Sequence, residues 1–411
     1  MVCVMTAICY ITQGQSILVG GFHFHAIRIV LLAGIIRIAA RGEFPKFKVT
    51  GIDGAIVLFA VVTYGLMGLR LGVWQESVGH AYDVLLSYFV FRGLITSWEE
   101  VQALLPGLAV LIMPMAVCML RETHTGRSVF AFMGGLADVD PDREGRFRAA
   151  GAFRSPHDAG AFGATLIPLF VGLYWVNRKR RVIAVAGIIA ATLITYASNS
   201  SGPLMAYLSC LIGLAFWPLR MHMRKVRWGI VVFLICMGLT MKVPIWYLMS
   251  KIADLTGGDG WYRSYLMEQC WNHMSSWWLM GVTDTSGWAA TGEGKDLCNI
   301  YVGCAAGGGM GSLILFVVIL VKSFQKLGMA LKTARESLPE SEAVFWCMGC
   351  ILFAHVMTLF SVSYWDQMTV FWWGTLAGFA SAASSVLDAQ PATGAMEEIP
   401  ESETSPAAAA V

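Results

Sequence analysis

Arg148–Trp175 reads RAAGAFRSPHDAGAFGATLIPLFVGLYW, a charged, turn-rich mouth that passes directly into an apolar run. Gly151 and Pro156 interrupt regular structure, and Arg154, His157 and Asp158 flank the interruption. Ala159 to Trp175 is long enough to begin crossing a bilayer. Charged groups at such a depth must be solvated, paired or used, so the stretch predicts a membrane helix that begins at a polar site. Ser155-Pro156 marks the start of that helix, a capping hydroxyl followed by a first-turn proline, and Asp158 complements the helix dipole. His157 beside it is a candidate proton carrier or phosphate donor, because a neighbouring anion favours the charged imidazole.

The rest of the chain has the same apolar character. Of 411 residues, 56% are hydrophobic and only 14% charged, and the mean hydropathy is +0.62; that excludes an ordinary soluble domain and predicts a polytopic, all-α bundle of membrane helices. A net charge of +2 is too small to argue for a nucleic-acid partner. Most of the ten cysteines, Cys3, Cys118, Cys210, Cys236, Cys347 and Cys350 among them, lie in apolar runs without metal-ligand spacing and read as inert thiols. Cys270, Cys298 and Cys304 fall in or near a polar loop, where a Cys270–Cys298 disulfide is an alternative in an oxidising compartment.

Apolar segments of spanning length predict about twelve helices, near 2–19, 22–40, 52–69, 79–95, 101–120, 157–176, 182–198, 203–219, 228–248, 299–321, 343–363 and 366–387. The first is weak. It lacks the charged amino-terminal region and cleavage site of a removable signal peptide, and its abrupt start leaves room for a helix or two upstream. Short basic loops set the orientation: Arg41, Lys46 and Lys48; Arg178 to Arg181; Arg220, Arg224, Lys225 and Arg227; Lys322, Lys326, Lys332 and Arg335. Helix parity puts all four on one side, which the positive-inside rule makes cytoplasmic, together with both termini. Loops 121–156 and 249–298 then face outward, into the periplasm if the membrane is a bacterial inner membrane. Residues 1–387 form the membrane domain, and 388–411, DAQPATGAMEEIPESETSPAAAAV, read as a disordered cytoplasmic tail. No solenoid-length repeat and no mirrored pair of broken helices stands out.

The outer loops break the charge rule. Arg121, Arg127, Arg143, Arg146, Arg148 and Arg154 all fall in the first of them. Guanidinium groups offer a fixed fork of donors suited to diphosphate. Arg143 and Arg146 are more simply paired with the interleaved Asp138, Asp140, Asp142 and Glu144, whereas Arg148 and Arg154, beside the Gly151 turn, are the better candidates for ligand contact. In the second loop, residues 261–278 predict a short amphipathic helix with Trp261, Tyr265, Trp271 and Trp278 at the interface, either as an aromatic belt or as faces flanking a sugar. Arg263 and Glu268 sit near its start, Arg263 on the wrong side to be a topology signal. His23 and His25, two apart, do not make a metal site, Arg37 can snorkel, and Asp366 reads as a loop residue.

These segments together resemble the O-antigen ligase and O-antigen polymerase family of bacterial integral membrane glycosyltransferases. Arg148-Ala-Ala-Gly151-Ala-Phe153 with Ser155-Pro156-His157-Asp158 is similar to that family's R-x-x-G-x-F and P-N-D pattern, with His157 where asparagine is usual. Ser200-Ser201-Gly202-Pro203 stands at its Ser-Arg-Gly turn. Arg263 begins a helix running to Leu279-Met280-Gly281-Val282, similar to P-L-L-G-x-G. Asp296-Leu297-Cys298-Asn299-Ile300-Tyr301, with Gly307-Gly308-Gly309-Met310-Gly311, resembles H-N-x-Y followed by G-x-x-G. The resemblance spans roughly residues 50 to 380. It implies metal-independent transfer, without a cofactor, of a glycan from an undecaprenyl diphosphate carrier to a sugar hydroxyl at the periplasmic face. Arg263 matches a diphosphate-binding position, while Ser201 and Cys298 replace the family's turn arginine and loop histidine. Arg148, Arg154 and His157 are then expected to supply charge and Asp296 or Glu268 a base, with Cys298, Asn299 and Tyr301 at the substrate. Polymerase-like members vary more at these positions, which favours repeat-unit polymerisation over ligation. Chain-length and export proteins are the expected partners; a flippase of lipid-linked glycan and a non-catalytic assembly partner are the competing readings.

Overall fold

The structure, a computed structural model, describes residues 1–19, 22–43, 48–136, 147–251, 260–288 and 297–389. It is an all-α bundle. Among the described residues seven helices are long and apolar enough to cross a membrane: α3 (Gly51–Leu71), α5 (Trp98–Thr125), α6 (Pro156–Val176), α7 (Arg181–Ala197, with the turn before it), α12 (Ile300–Ser337), α13 (Pro339–Thr358) and α14 (Asp366–Asp388). An eighth span arises if α8 (Ser201–Ala215) and the segment carrying α9 (Met223–Thr240) are counted as one path bent by 69°. α4 (Trp74–Leu94) has the length but carries Glu76, Asp83 and Arg92, and does not join the seven. α10 (Gly260–Asn272) and α11 (Met274–Trp277) are short helices between α9 and α12.

The amino-terminal expectation needs correcting. Instead of spans over 2–19 and 22–40 there is a nine-residue helix α1 (Val2–Tyr10), a pair of antiparallel strands β1 (Ser16–Val19) and β2 (Phe22–His25), and a fifteen-residue helix α2 (Ala26–Ala40). At about 1.5 Å per residue neither helix covers a hydrocarbon core of about 30 Å. Ser16 pairs with His25 and Val19 with Phe22, so the alternation that looked like apolar helix satisfies its backbone across strands. The span expected at 228–248 likewise stops at Thr240.

α6 lies at the centre because its small residues let neighbours approach. Gly160 meets Ser198 and Pro203, and Gly163 meets Ala191 and Ile194, so an added methyl at either would clash. α13 and α14 are similarly enclosed. The basic clusters do share one end. Gly51 abuts the Lys322 ammonium; Glu342 at the start of α13 joins Arg220 at 3.0 Å and Arg335 at 2.8 Å; Trp175 packs on Trp217. Near this end a buried Asp53 accepts from Tyr88 at 2.6 Å and from Arg92 at 3.3 Å, while Arg92 also donates to Ser381 at 2.7 Å, tying α3, α4 and α14 together. The tail beyond residue 389 and Lys46 lie outside the described residues.

Candidate functional site at the end opposite the basic clusters

The site grows from the turn that precedes α6. Gly151 takes φ of +60°, a conformation that costs little only in glycine. The turn is anchored on three sides: Ala149 N–H donates to the Ala197 carbonyl at the end of α7 (3.0 Å), the Glu122 carboxylate on α5 accepts from Ala150 (2.9 Å) and Gly151 (3.3 Å), and Gln367 on α14 donates to the Ala152 carbonyl (2.8 Å). Ser155 then caps α6 as the sequence predicts, accepting from Asp158 N–H at 3.2 Å and donating to its carboxylate at 2.9 Å. Asp158 is fully buried. Ser155→Ala is expected to cost about 1 to 2 kcal/mol, because it removes the cap and one donor of a buried carboxylate; a fall of a few degrees in the melting temperature of the purified protein checks it.

Held by that turn, Arg148 points across the start of α6. Its Nη2 donates to Ser200 Oγ at 2.6 Å and meets His157 Nε2 at 3.0 Å. A guanidinium cannot accept, so Nε2 is the acceptor and the imidazole proton belongs on Nδ1. Both that Nδ1 and the Arg148 Nε are buried without a hydrogen-bond partner among the described residues. Arg148 has no carboxylate partner among the described residues. Arg263, 7% exposed, arrives from α10 and donates to Ser201 Oγ at 3.4 Å, with Gly202 beneath its guanidinium. Two arginines from separate loops therefore converge on adjacent serines at the start of α8.

The surroundings add positive potential. α6, α8, α12 and α14 all begin at this end: Ile300 N–H reaches the Leu359 carbonyl, Gly202 abuts Ser361 and Val362, and Arg154 lies over the Trp365 ring at 4.7 Å. Each helix start carries roughly half a positive charge. Among the described residues the three non-glycines with positive φ, Asn199, Cys298 and Asp366, stand at the starts of α8, α12 and α14. Strained backbone of this kind gathers at functional sites.

α10 is kept over the mouth by the chain that follows it. α12 is interrupted at Gly308 (φ −141°, ψ 20°) and Gly309 (φ 71°, ψ −168°), and the segment Trp278–Val282 fills the interruption: Met310 N–H donates to Trp278 O and Val282 N–H to Ala306 O, both at 2.8 Å. Arg70 on α3 donates to the Met280 carbonyl. The two glycine-bearing segments of the sequence thus pair with each other.

Other expected residues are placed differently. Arg154 is exposed and engages Trp365. Glu268 accepts from Tyr247, whose hydroxyl is pushed up to about 12 by that bond and so stays a donor at neutral pH. Asn299 caps α12, accepting from Tyr301 (2.9 Å) and Val302 (3.2 Å), while its Nδ2 is buried without a partner among the described residues. Tyr301 donates to the Val356 carbonyl at 3.1 Å, and no disulfide joins Cys270 to Cys298. Trp261 and Tyr265 stack at 5.3 Å, and Trp261, Trp271 and Trp278 are exposed. Arg121 and Arg127 are exposed. Asp296, and Arg143 and Arg146 with Asp138, Asp140, Asp142 and Glu144, lie outside the described residues. Among the described residues no group of three His, Cys, Asp or Glu is placed to hold a metal ion.

The sequence places Ser200 in the turn before α8 without assigning it a contact, and gives no role to Glu122 or Gln367. Glu122 had a signal, a carboxylate in the last turn of an apolar helix, where burial demands a partner. Compared with models of known families and with curated proteins, the chain matches none.

Proposed function

We propose that the protein is a membrane glycosyltransferase that polymerises or transfers a glycan from undecaprenyl diphosphate during surface polysaccharide synthesis. The basic end faces the cytoplasm of a bacterial inner membrane, with the end of α14 beside it, and the Arg148–Arg263 end faces the periplasm. What carries the reading is the convergence of Arg148 and Arg263 on Ser200 and Ser201. Their outward position opposes the insertion bias, and their fork geometry suits diphosphate oxygens.

In this reading an acceptor hydroxyl attacks the anomeric carbon, the bond to the diphosphate oxygen breaks, and charge builds on the leaving group. Guanidinium groups already in place stabilise that charge without reorganising. His157, neutral with its proton on Nδ1 and Nε2 held by Arg148, is set to give the leaving oxygen a hydrogen bond and keeps its proton. Asp296 and Glu268 remain the proposed acceptors of the hydroxyl proton, and Arg154, Cys298, Asn299 and Tyr301 the proposed glycan contacts. Chain-length and export proteins are the proposed partners.

The flippase reading draws on one observation, the interrupted α12, since broken helices often line transport sites. Here the break is filled by Trp278–Val282. The test is reconstitution in nanodiscs with an undecaprenyl diphosphate-linked oligosaccharide. Longer glycan and released undecaprenyl diphosphate are expected; lipid-linked glycan moved across a vesicle bilayer with no new glycosidic bond would replace the proposal with transport.

A further inference from the structure

We infer that Glu122 is a positioning residue for Arg148, acting through the amides of Ala150 and Gly151; the inference rests on the diphosphate reading of the site. The carboxylate is fully buried at the outer end of α5, and each oxygen takes one amide, Oε1 from Ala150 and Oε2 from Gly151. Two consecutive amides aimed at one carboxylate make a small anion-binding nest, here occupied by the protein's own side chain, and the left-handed Gly151 turns the chain directly after it. Met115 and Met119 pack against Gly151 from the same helix, so the turn is pressed onto α5.

Arg148 leaves the chain two residues before the first of these amides. The Ala149 bond to Ala197, the Phe153 N–H bond to the Ala150 carbonyl and the Gln367 bond to Ala152 locate the turn, but none of them holds the peptide unit between Ala149 and Ala150. The bond from Ala150 N–H to Glu122 does. It therefore sets the direction from which the Arg148 guanidinium reaches Ser200 and His157, both on other elements. Glutamine keeps the shape of Glu122 but offers only one acceptor oxygen, so one of the two amides would face an NH₂ group.

The test uses the full chain in nanodiscs as wild type, Glu122→Gln, Arg148→Ala and the double variant. Two quantities are read: affinity for undecaprenyl diphosphate, and the rate at which diethyl pyrocarbonate acylates His157, followed on its peptide by mass spectrometry. That reagent attacks an imidazole lone pair, and the Nε2 lone pair is held by Arg148. Glu122→Gln is expected to weaken binding about tenfold and raise His157 acylation several-fold, with the double variant no worse than Arg148→Ala alone in either quantity, the mark of residues acting as a unit. Additive losses, or His157 acylation unchanged in Glu122→Gln, would overturn the inference. Should the wild type fail to bind the lipid, the diphosphate reading falls while the acylation series still decides the role of Glu122.

Discussion

Arg148→Ala is expected to weaken undecaprenyl diphosphate binding by about 100-fold and to abolish glycan transfer, with little change in melting temperature. Removing one partner of a desolvated, hydrogen-bonded charge pair costs about 2–5 kcal/mol, and 100-fold lies within that range. Little stability is at stake, since the partners given up are one hydroxyl and one imidazole at a half-buried position. Arg148→Lys is the informative companion. A lysine keeps the charge but reaches one partner at a time, so an intermediate loss of about tenfold is expected. Isothermal titration of the lipid into nanodisc-embedded protein measures all three forms. Affinities within about twofold of one another would mean that the guanidinium serves only to tie α6 to α8.

How far the sequence discloses such a site depends on the range of the interaction concerned. The α6 cap is local, three residues long, and Ser155-Pro156 with Asp158 announces it. Of the four basic clusters that helix parity places on one side, the first and fourth adjoin through Gly51 and Lys322, and the third and fourth share Glu342 through Arg220 and Arg335. Arg148 and Arg263 were singled out by charge on the wrong side of a membrane, but their meeting at Ser200 and Ser201 joins residues 52 and 62 positions apart, which no local pattern records. Glu122 shows its need for a partner by its place in an apolar helix, but not which partner, because the groups it holds are amides 28 and 29 positions away and amides have no sequence signature.

The amino-terminal region misled for a different reason. Phe22 to His25 alternates and, with the apolar run Ile17 to Val19, flanks Gly20-Gly21, a strand-turn-strand signal. A long hydropathy window averages over that alternation and reports only apolar content. The segment 228–248 was overread in the same way: hydropathy carried the expected span past Thr240, while Pro244 and the polar Lys242 mark where the helix has already stopped.

Gly309→Ala is expected to destabilise the protein by roughly 3 kcal/mol, the cost of forcing an alanine into a backbone region open almost only to glycine together with a steric clash. The geometry leaves no escape. With φ at 71° and ψ at −168°, the new methyl would lie 2.7 Å from the Leu279 carbonyl oxygen and 3.0 Å from Met280 N, both backbone atoms of the segment that fills the α12 interruption. Either the interruption closes and expels Trp278–Val282, or that segment moves away, and in both cases Met310 and Val282 lose their carbonyl partners. α10 and Arg263 lie directly upstream, so lipid binding should fall along with stability. Gly311→Ala is the control: a methyl there meets only Val62, at 4.0 Å, inside regular helix, and is expected to be neutral or to stabilise by about 0.5 to 1 kcal/mol. Thermal unfolding in detergent, with limited proteolysis across residues 278–282, separates the two. Equal melting temperatures and equal protease resistance for the two variants would show that α12 does not need its interruption, and the argument that the 278–282 segment holds Arg263 over the site would go with it.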